Sequence, residues 1–194
     1  MSPATLVATL HASTPIRDIC TGLAELDAPG ALLTGGCLAQ TWWNMAAGRD
    51  PQAGIRDYDL FYWDADLSWA AEDRIIRRAA ALWPDLPVEP RNQARVHLWF
   101  EARFGVACPP LGSAEAGIDR FLFPAIRLGL DGRGGLYAPA GLDDLLAAYL
   151  RPDPAMPRLD QARPKALDYL ARFPELRLAR ELSSAVAQAG MGGA

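Results

Sequence analysis

Gly35-Gly36 and Asp57-Tyr58-Asp59 are the residues of this chain whose types and spacing could do chemistry. The two aspartates lie in a run of apolar and aromatic residues, 55–63, that favours a strand. Residues two apart on a strand share a face, so both carboxylates would point one way, with Tyr58 and Leu60 turned opposite. Carboxylates held that close repel each other unless a cation sits between them. A hard ion such as Mg2+ (or Mn2+) suits oxygen ligands, and is usually held by one or two carboxylates together with substrate phosphates. Gly35-Gly36 opens a helix-compatible stretch, 37–47, whose amides and dipole would receive those phosphates. Alternating acids can equally be the solvated face of an edge strand, but the apolar flanks favour the metal. The pattern reads as a site for a metal-bound nucleoside triphosphate.

Several elements must position these residues. The apolar run 31–33 leads into the glycine pair as a strand, and Gly48 stops the helix that follows it. Ser68 caps a helix over 69–83, with Glu72 and Asp73 early and arginines later, and Pro84 ends it. Asp64 and Asp66 repeat the two-residue spacing but belong to the loop and helix start before that cap. Residues 87–89 begin a second extended stretch. Over 94–101, Ala94, Val96, Leu98 and Phe100 alternate with Arg95, His97, Trp99 and Glu101, which predicts a half-buried strand. Earlier in the chain, Thr14 caps a helix with Pro15 at its first position. Later, Ser113 caps a helix to residue 121, and a turn-rich link at 131–135 predicts a hairpin between 126–130 and 136–138. Helices follow over 142–150 and 161–172, joined by a proline-rich linker at 151–158, and Pro174 opens a last one. The glycine-rich end, 190–194, reads as disordered. The fold class is α+β: a mixed sheet with helices packed against it, and a C-terminal helical extension. Residues 1–150 form the domain, and 151–194 a linker and extension packed on it.

The order Gly-Gly, helix, Asp-x-Asp on a strand resembles the core motif of the polymerase-beta-like nucleotidyltransferase superfamily. More closely, GGCLAQTWWN (35–44), IRDYDLFYWDADLSW (55–69), NQARVHLWFE (92–101), AGIDRF (116–121), YAPAGLDDL (137–145) and RFPEL (172–176) are similar to a bacterial nucleotidyltransferase-like family, over about 34–178. The resemblance implies transfer of a nucleoside monophosphate from a triphosphate to an acceptor, with Asp57 and Asp59 as metal ligands and catalytic residues. Gly35 and Gly36 would then cradle the phosphates. It also implies a third catalytic acid on a later strand. Glu89 is the match by position, although Pro90 would disturb an interior strand, and Asn92 and Glu101 are the other candidates. Where the superfamily commonly has serine, this chain has Gly36, so Thr34 or Thr41 would have to supply the hydroxyl. Gln40 and Asn44, four apart on one helix face, and Arg95 and His97, on one strand face, are candidates to bind nucleotide. Trp42, Trp43, Phe61, Trp63 and Trp99 could stack a base, although most will be core. The alternative is a non-catalytic module of the same fold, binding a nucleotide or a protein.

Composition narrows the partners. The chain has 194 residues, 51% of them apolar, and a formal net charge of −4, enough for one substantial core. An acidic protein is a poor candidate for tracking long nucleic acid, which needs a basic surface. No apolar run reaches the length of a membrane span. Cys20, Cys37 and Cys108 are scattered, so neither a disulfide framework nor a zinc site follows, and a cytoplasmic location with reduced thiols is the expectation.

Overall fold

The computed structural model describes residues 1–156 and 159–183. The expectation for 190–194 lies outside the described residues. Two N-terminal helices, α1 (Pro3–Leu10) and α2 (Thr14–Gly22), precede β1 (Leu32–Thr34). The second begins one residue earlier than its proline suggested: the cap position is Ser13, and its side chain makes no capping hydrogen bond. Gly35 then turns the chain into α3 (Gly36–Ala46), and a loop leads to β2 (Tyr58–Tyr62). Helix α4 (Trp69–Leu82) carries the chain to β3 (Val88–Asn92), which pairs in parallel with β2. Ser68 caps α4 by accepting from the Ala71 amide at 3.2 Å, satisfying one donor that the first turn leaves open.

Residues 93–101 depart from the sequence reading. Gln93–Leu98 is a 3-10 helix, followed by α5 (Phe100–Phe104), rather than a strand. The alternating pattern lost to a local competitor. Asn92 accepts the Ala94 amide on its side-chain oxygen at 3.1 Å and binds the 64–66 loop with its amide, which turns the backbone out of the sheet.

Helix α6 (Ala114–Ile118), capped by Ser113, leads to the hairpin β4 (Gly129–Leu130) and β5 (Leu136–Tyr137). The sheet order is β3-β2-β1-β4-β5, antiparallel except for the β2–β3 pair. Because β3 is an edge strand, Pro90 is tolerated there. The expected helix over 142–150 is one turn, α7 (Asp143–Leu146). It is followed by β6 (Tyr149–Leu150), which pairs in parallel with β7 (Arg177–Leu178). Between these strands runs α8 (Leu159–Arg172), with Pro164 inside it, and the described chain closes on α9 (Arg180–Ser183). Pro174 therefore begins a turn into β7 rather than a helix.

One main core joins the N-terminal helices, the buried face of β2 and the inner face of α8. Leu6, Ile16, Leu38, Leu60, Tyr62, Phe123, Ala166 and Phe173 belong to it. Burying a side chain such as Leu38 or Leu60 contributes about 2 kcal/mol each. On β2 the buried residues are Tyr58, Leu60 and Tyr62. Asp59 and Phe61 are therefore left on the opposite face, which α8 and α6 flank with an open cleft.

Candidate functional site

Asp57 stands at the residue before β2, and Asp59 is its second residue. Both line a cleft of about 200 Å³ together with Gly36, Gln40, Arg56, Lys165, Asp168, Tyr169 and Arg172. Asp57 is exposed and Asp59 half-buried. Burial, then the charges of Asp57 and Glu89, push the Asp59 carboxyl up to about 7, while Lys165 and Arg91 work the other way. The cleft thus disfavours the charged form of Asp59, first by excluding water and then through the neighbouring acids.

The glycine turn builds the facing wall. Gly35 adopts φ 71° and ψ −127°, a conformation open essentially to glycine, and an added Cβ would lie 3.0 Å from the Phe121 ring. Its amide donates to the Leu128 carbonyl at 3.0 Å, so it serves the fold rather than a phosphate. Helical bonding begins with Ala39, which leaves the amides of Gly36 and Cys37 without acceptors inside α3. A Cβ on Gly36 would meet Gln40 Nε2 at 2.8 Å and the Tyr169 hydroxyl at 3.0 Å. The glycine is there because two polar side chains close over it. Neither candidate hydroxyl reaches this wall: Thr34 donates to the Leu128 carbonyl at 2.7 Å, and Thr41 is fully buried.

Helix α8 supplies what the sequence reading missed. Lys165, Asp168, Tyr169 and Arg172 recur at helical spacing and face the acid pair. Arg172 donates to the Gly54 carbonyl at 2.6 Å, to Asp168 at 2.6 Å and to Gln40 at 3.4 Å. Arg56 joins Asp168 at 3.0 Å. Burial works against the Asp168 charge, but the hydrogen bond and charge of Arg172, with Arg56, hold the carboxyl below its ordinary value. This network ties the loop before Asp57 to α8. The signal was present in the sequence as the only lysine of the chain, followed by polar residues on one helical stripe.

Glu89 sits opposite Asp59 in the β2–β3 register, on the same face of the sheet. Its carboxylate pairs with Arg91 at 2.9 Å and is half exposed. Among the described residues no three His, Cys, Asp or Glu side chains are grouped to hold a metal. Asn92 is fully engaged: its amide donates to the Asp64 carbonyl at 2.9 Å and its backbone N–H to Glu72 at 2.9 Å. Glu101 is exposed on α5 and does not line the cleft.

Three nucleotide-binding candidates are corrected. Asn44 is fully buried and donates to the carbonyls of Pro51 (3.1 Å) and Ala53 (2.8 Å), clamping the loop that carries Asp57. Arg95 forms a buried ion pair with Glu72 and lies over the Trp69 ring, on the α4 side. His97, on the same 3-10 helix, lines neither the cleft nor the larger cavity beside it. With no strand there, the shared face expected of Arg95 and His97 does not exist. Of the aromatics, Trp43 is core, whereas Phe61 and Trp99 line that larger cavity.

A nucleotidyltransferase family model matches residues 21–178, which spans the sheet, the cleft and α8. The chain belongs to the nucleotidyltransferase family. The fold of this chain is similar to that of a protein whose NMR structure is described as revealing a CCA-adding enzyme head domain. The TM-score is 0.75, with 18% identity, over 90% of this chain and 94% of that one. At that identity the likeness concerns the fold. No curated protein matches the chain by sequence. Among the described residues no helix is long and apolar enough to cross a membrane.

Proposed function

We propose that this nucleotidyltransferase moves a nucleoside monophosphate from a nucleoside triphosphate to an acceptor hydroxyl, with Asp57 and Asp59 holding Mg2+ or Mn2+. The observation that carries this reading is the single cleft in which the acid pair faces the first turn of α3 and the cationic stripe of α8. The donor set suits the ion: two oxygen ligands, of which Asp59 is raised by burial and then by the Asp57 charge, a penalty that a divalent charge would relieve. When bound, the ion would neutralise charge on the triphosphate.

The chain's own residues then have distinct tasks. The amides of Gly36 and Cys37 and the helix dipole receive the terminal phosphates. Arg56, Lys165 and Arg172 flank them as cations, and Gln40 and Tyr169 shape the wall over Gly36. The acceptor oxygen bonds to the α-phosphorus as the bond from that phosphorus to the α–β bridging oxygen breaks. Pyrophosphate departs with the electron pair, and the hydroxyl proton is released to solvent. Positioning and electrostatics do most of the work in such transfers. Glu89, beside Asp59 on the acceptor side, is the third acid of the proposal, and it would leave Arg91 to take that role.

The likeness in fold to a CCA-adding enzyme head domain brings a nucleic-acid end into view as acceptor. The net charge of −4 and the bounded cleft favour a small one. Calorimetry with Mg2+ and a non-hydrolysable triphosphate tests the binding half: wild type should bind, and Asp57→Asn with Asp59→Asn should not, with the circular dichroism unchanged. Equal affinity would make the pair a solvated face. Glu89→Gln should keep binding within a few fold and lower pyrophosphate release by about a hundredfold. Wild-type protein that binds triphosphate but releases no pyrophosphate across a broad acceptor screen would instead be a binding module.

A further inference from the structure

Beside the acid pair lies a second, larger cavity of about 340 Å³, which shares Asp59, Phe121 and Lys165 with the first cleft. It is built by the segment that sequence periodicity misassigned, the 3-10 helix and α5, together with α6. Gly117 on α6 packs against the buried Gln93 side chain: a Cβ would come within 2.1 Å of its oxygen, so that side chain would have to shift. The walls are aromatic: Phe61, Trp99, Phe100 and Phe104 offer ring surface. The charges are one-sided, with Arg91, Arg103, Arg120 and Lys165 against a single carboxylate, Asp59, at the junction.

Two of these arginines lie over aromatic rings rather than beside acids. Arg120 lies over the Phe100 ring at 5.9 Å and Arg103 over the Phe104 ring at 5.5 Å. Among the described residues neither is ion-paired, and the Arg120 Nε is buried without a hydrogen-bond partner. A guanidinium over a ring that faces no acid keeps N–H donors available for an anion. A buried donor such as the Arg120 Nε is unfavourable until an acceptor arrives. Aromatic walls together with such arginines select a flat ring carrying a carboxylate or phosphate. The volume admits a small molecule and not a strand of nucleic acid.

We infer that this cavity is the acceptor site, and that the acceptor is a small planar-ring molecule bearing an anionic group held by Arg103 and Arg120, with its hydroxyl directed toward Asp59. The identity as acceptor site rests on the transfer reading above, but the recognition chemistry is measurable without transfer. Calorimetry would compare 4-hydroxybenzoate (ring and anion), phenol (ring alone) and acetate (anion alone), with triphosphate binding as a separate control. 4-Hydroxybenzoate should bind at least about tenfold more tightly than either fragment, and still bind with Mg2+ and non-hydrolysable triphosphate present. Arg103→Gln with Arg120→Gln should remove that advantage and leave the phenol affinity unchanged, whereas Trp99→Leu should weaken both ring compounds. If the double variant fails to fold, the exposed Arg103→Gln alone should lower 4-hydroxybenzoate affinity several fold. Equal affinity for 4-hydroxybenzoate and phenol would overturn recognition of the anion. Salt-sensitive binding of an eight-nucleotide RNA, with none of the three small probes bound, would overturn the small-molecule acceptor. Failure of the probes with triphosphate binding intact would sink this inference and leave the nucleotide site standing, and the reverse result would do the opposite.

Discussion

Replacing Asp59 with asparagine should make the metal-free protein more stable, and the structure gives the size and the pH dependence. Burial and the charges of Asp57 and Glu89 raise the Asp59 carboxyl from 3.8 to about 7. A carboxyl whose pKa is higher folded than unfolded opposes folding when ionised. The penalty is fully present above the folded value, shrinks as pH falls through it, and vanishes below the unfolded one. A rise of this size corresponds to about 4 kcal/mol, and side-chain relaxation in the variant leaves about 2–4 kcal/mol to be gained. For a chain of this length that is a rise in Tm of about 5–10 °C. Urea melts of both proteins with chelator present, from pH 4.5 to 8.5, would read it. Asp59→Asn should be the more stable at pH 8, and the difference should contract as pH falls below 7, to about a quarter of its full size by pH 4.5. Millimolar Mg2+ with triphosphate should then stabilise wild type and leave the variant unmoved. Identical stabilities at pH 8, or a gap that widens as pH falls, would refute the account of Asp59 as a crowded charge waiting for a cation.

Two further substitutions separate the site from its scaffold. Arg172→Met removes donors to Gly54, Asp168 and Gln40 at once; triphosphate affinity should drop about tenfold by calorimetry, with a loss of about 1–3 kcal/mol in urea melts. Glu72→Gln leaves Arg95 with its charge buried and unpaired, and should destabilise by about 3 kcal/mol without changing triphosphate affinity; an affinity change instead would return Arg95 to the nucleotide site.

The sequence read well where one local rule had no rival. Ser68 and Ser113 cap helices because their hydroxyls meet amides that the first turn leaves open. Asp57 and Asp59 reach one cleft because β2 alternates and one of its faces is buried. The reading failed where a side chain outcompeted the pattern. Residues 94–101 alternate like a strand, yet Asn92, wedged between the 64–66 loop and Glu72, turns the backbone into a 3-10 helix. Asn44 looked like a cleft residue from its spacing with Gln40, but one turn further along α3 its amide is spent on the Pro51 and Ala53 carbonyls, and only Gln40 reaches over Gly36. The contribution of α8 was hidden for a different reason. Its stripe is polar, and a polar stripe on a late helix gives no hint of which distant strand it will face. Only the tertiary contact of Tyr169 with Gly36, more than a hundred positions earlier, decides it.

A net charge of −4 and a site for a polyanion are compatible because they act over different distances. Beyond about 8–10 Å, exposed charges are screened at physiological ionic strength, so the overall charge governs approach and solubility rather than contact. Within the cleft the balance is local. Arg56, Lys165 and Arg172 stand on one side, and Arg91, Arg103 and Arg120 line the neighbouring cavity, with Asp57 and Asp59 between them. Several of these cations are already committed: Arg56 and Arg172 are tied to Asp168, and Arg91 to Glu89. An extended nucleic acid gains affinity from each further phosphate it can place on a cation, and cations held this way offer it less. On the proposed reading, a small triphosphate meeting a small anionic acceptor would use both cationic groups. The acid pair between them would then do what a uniformly basic cleft could not, keeping the two anions apart until a divalent ion makes their approach favourable.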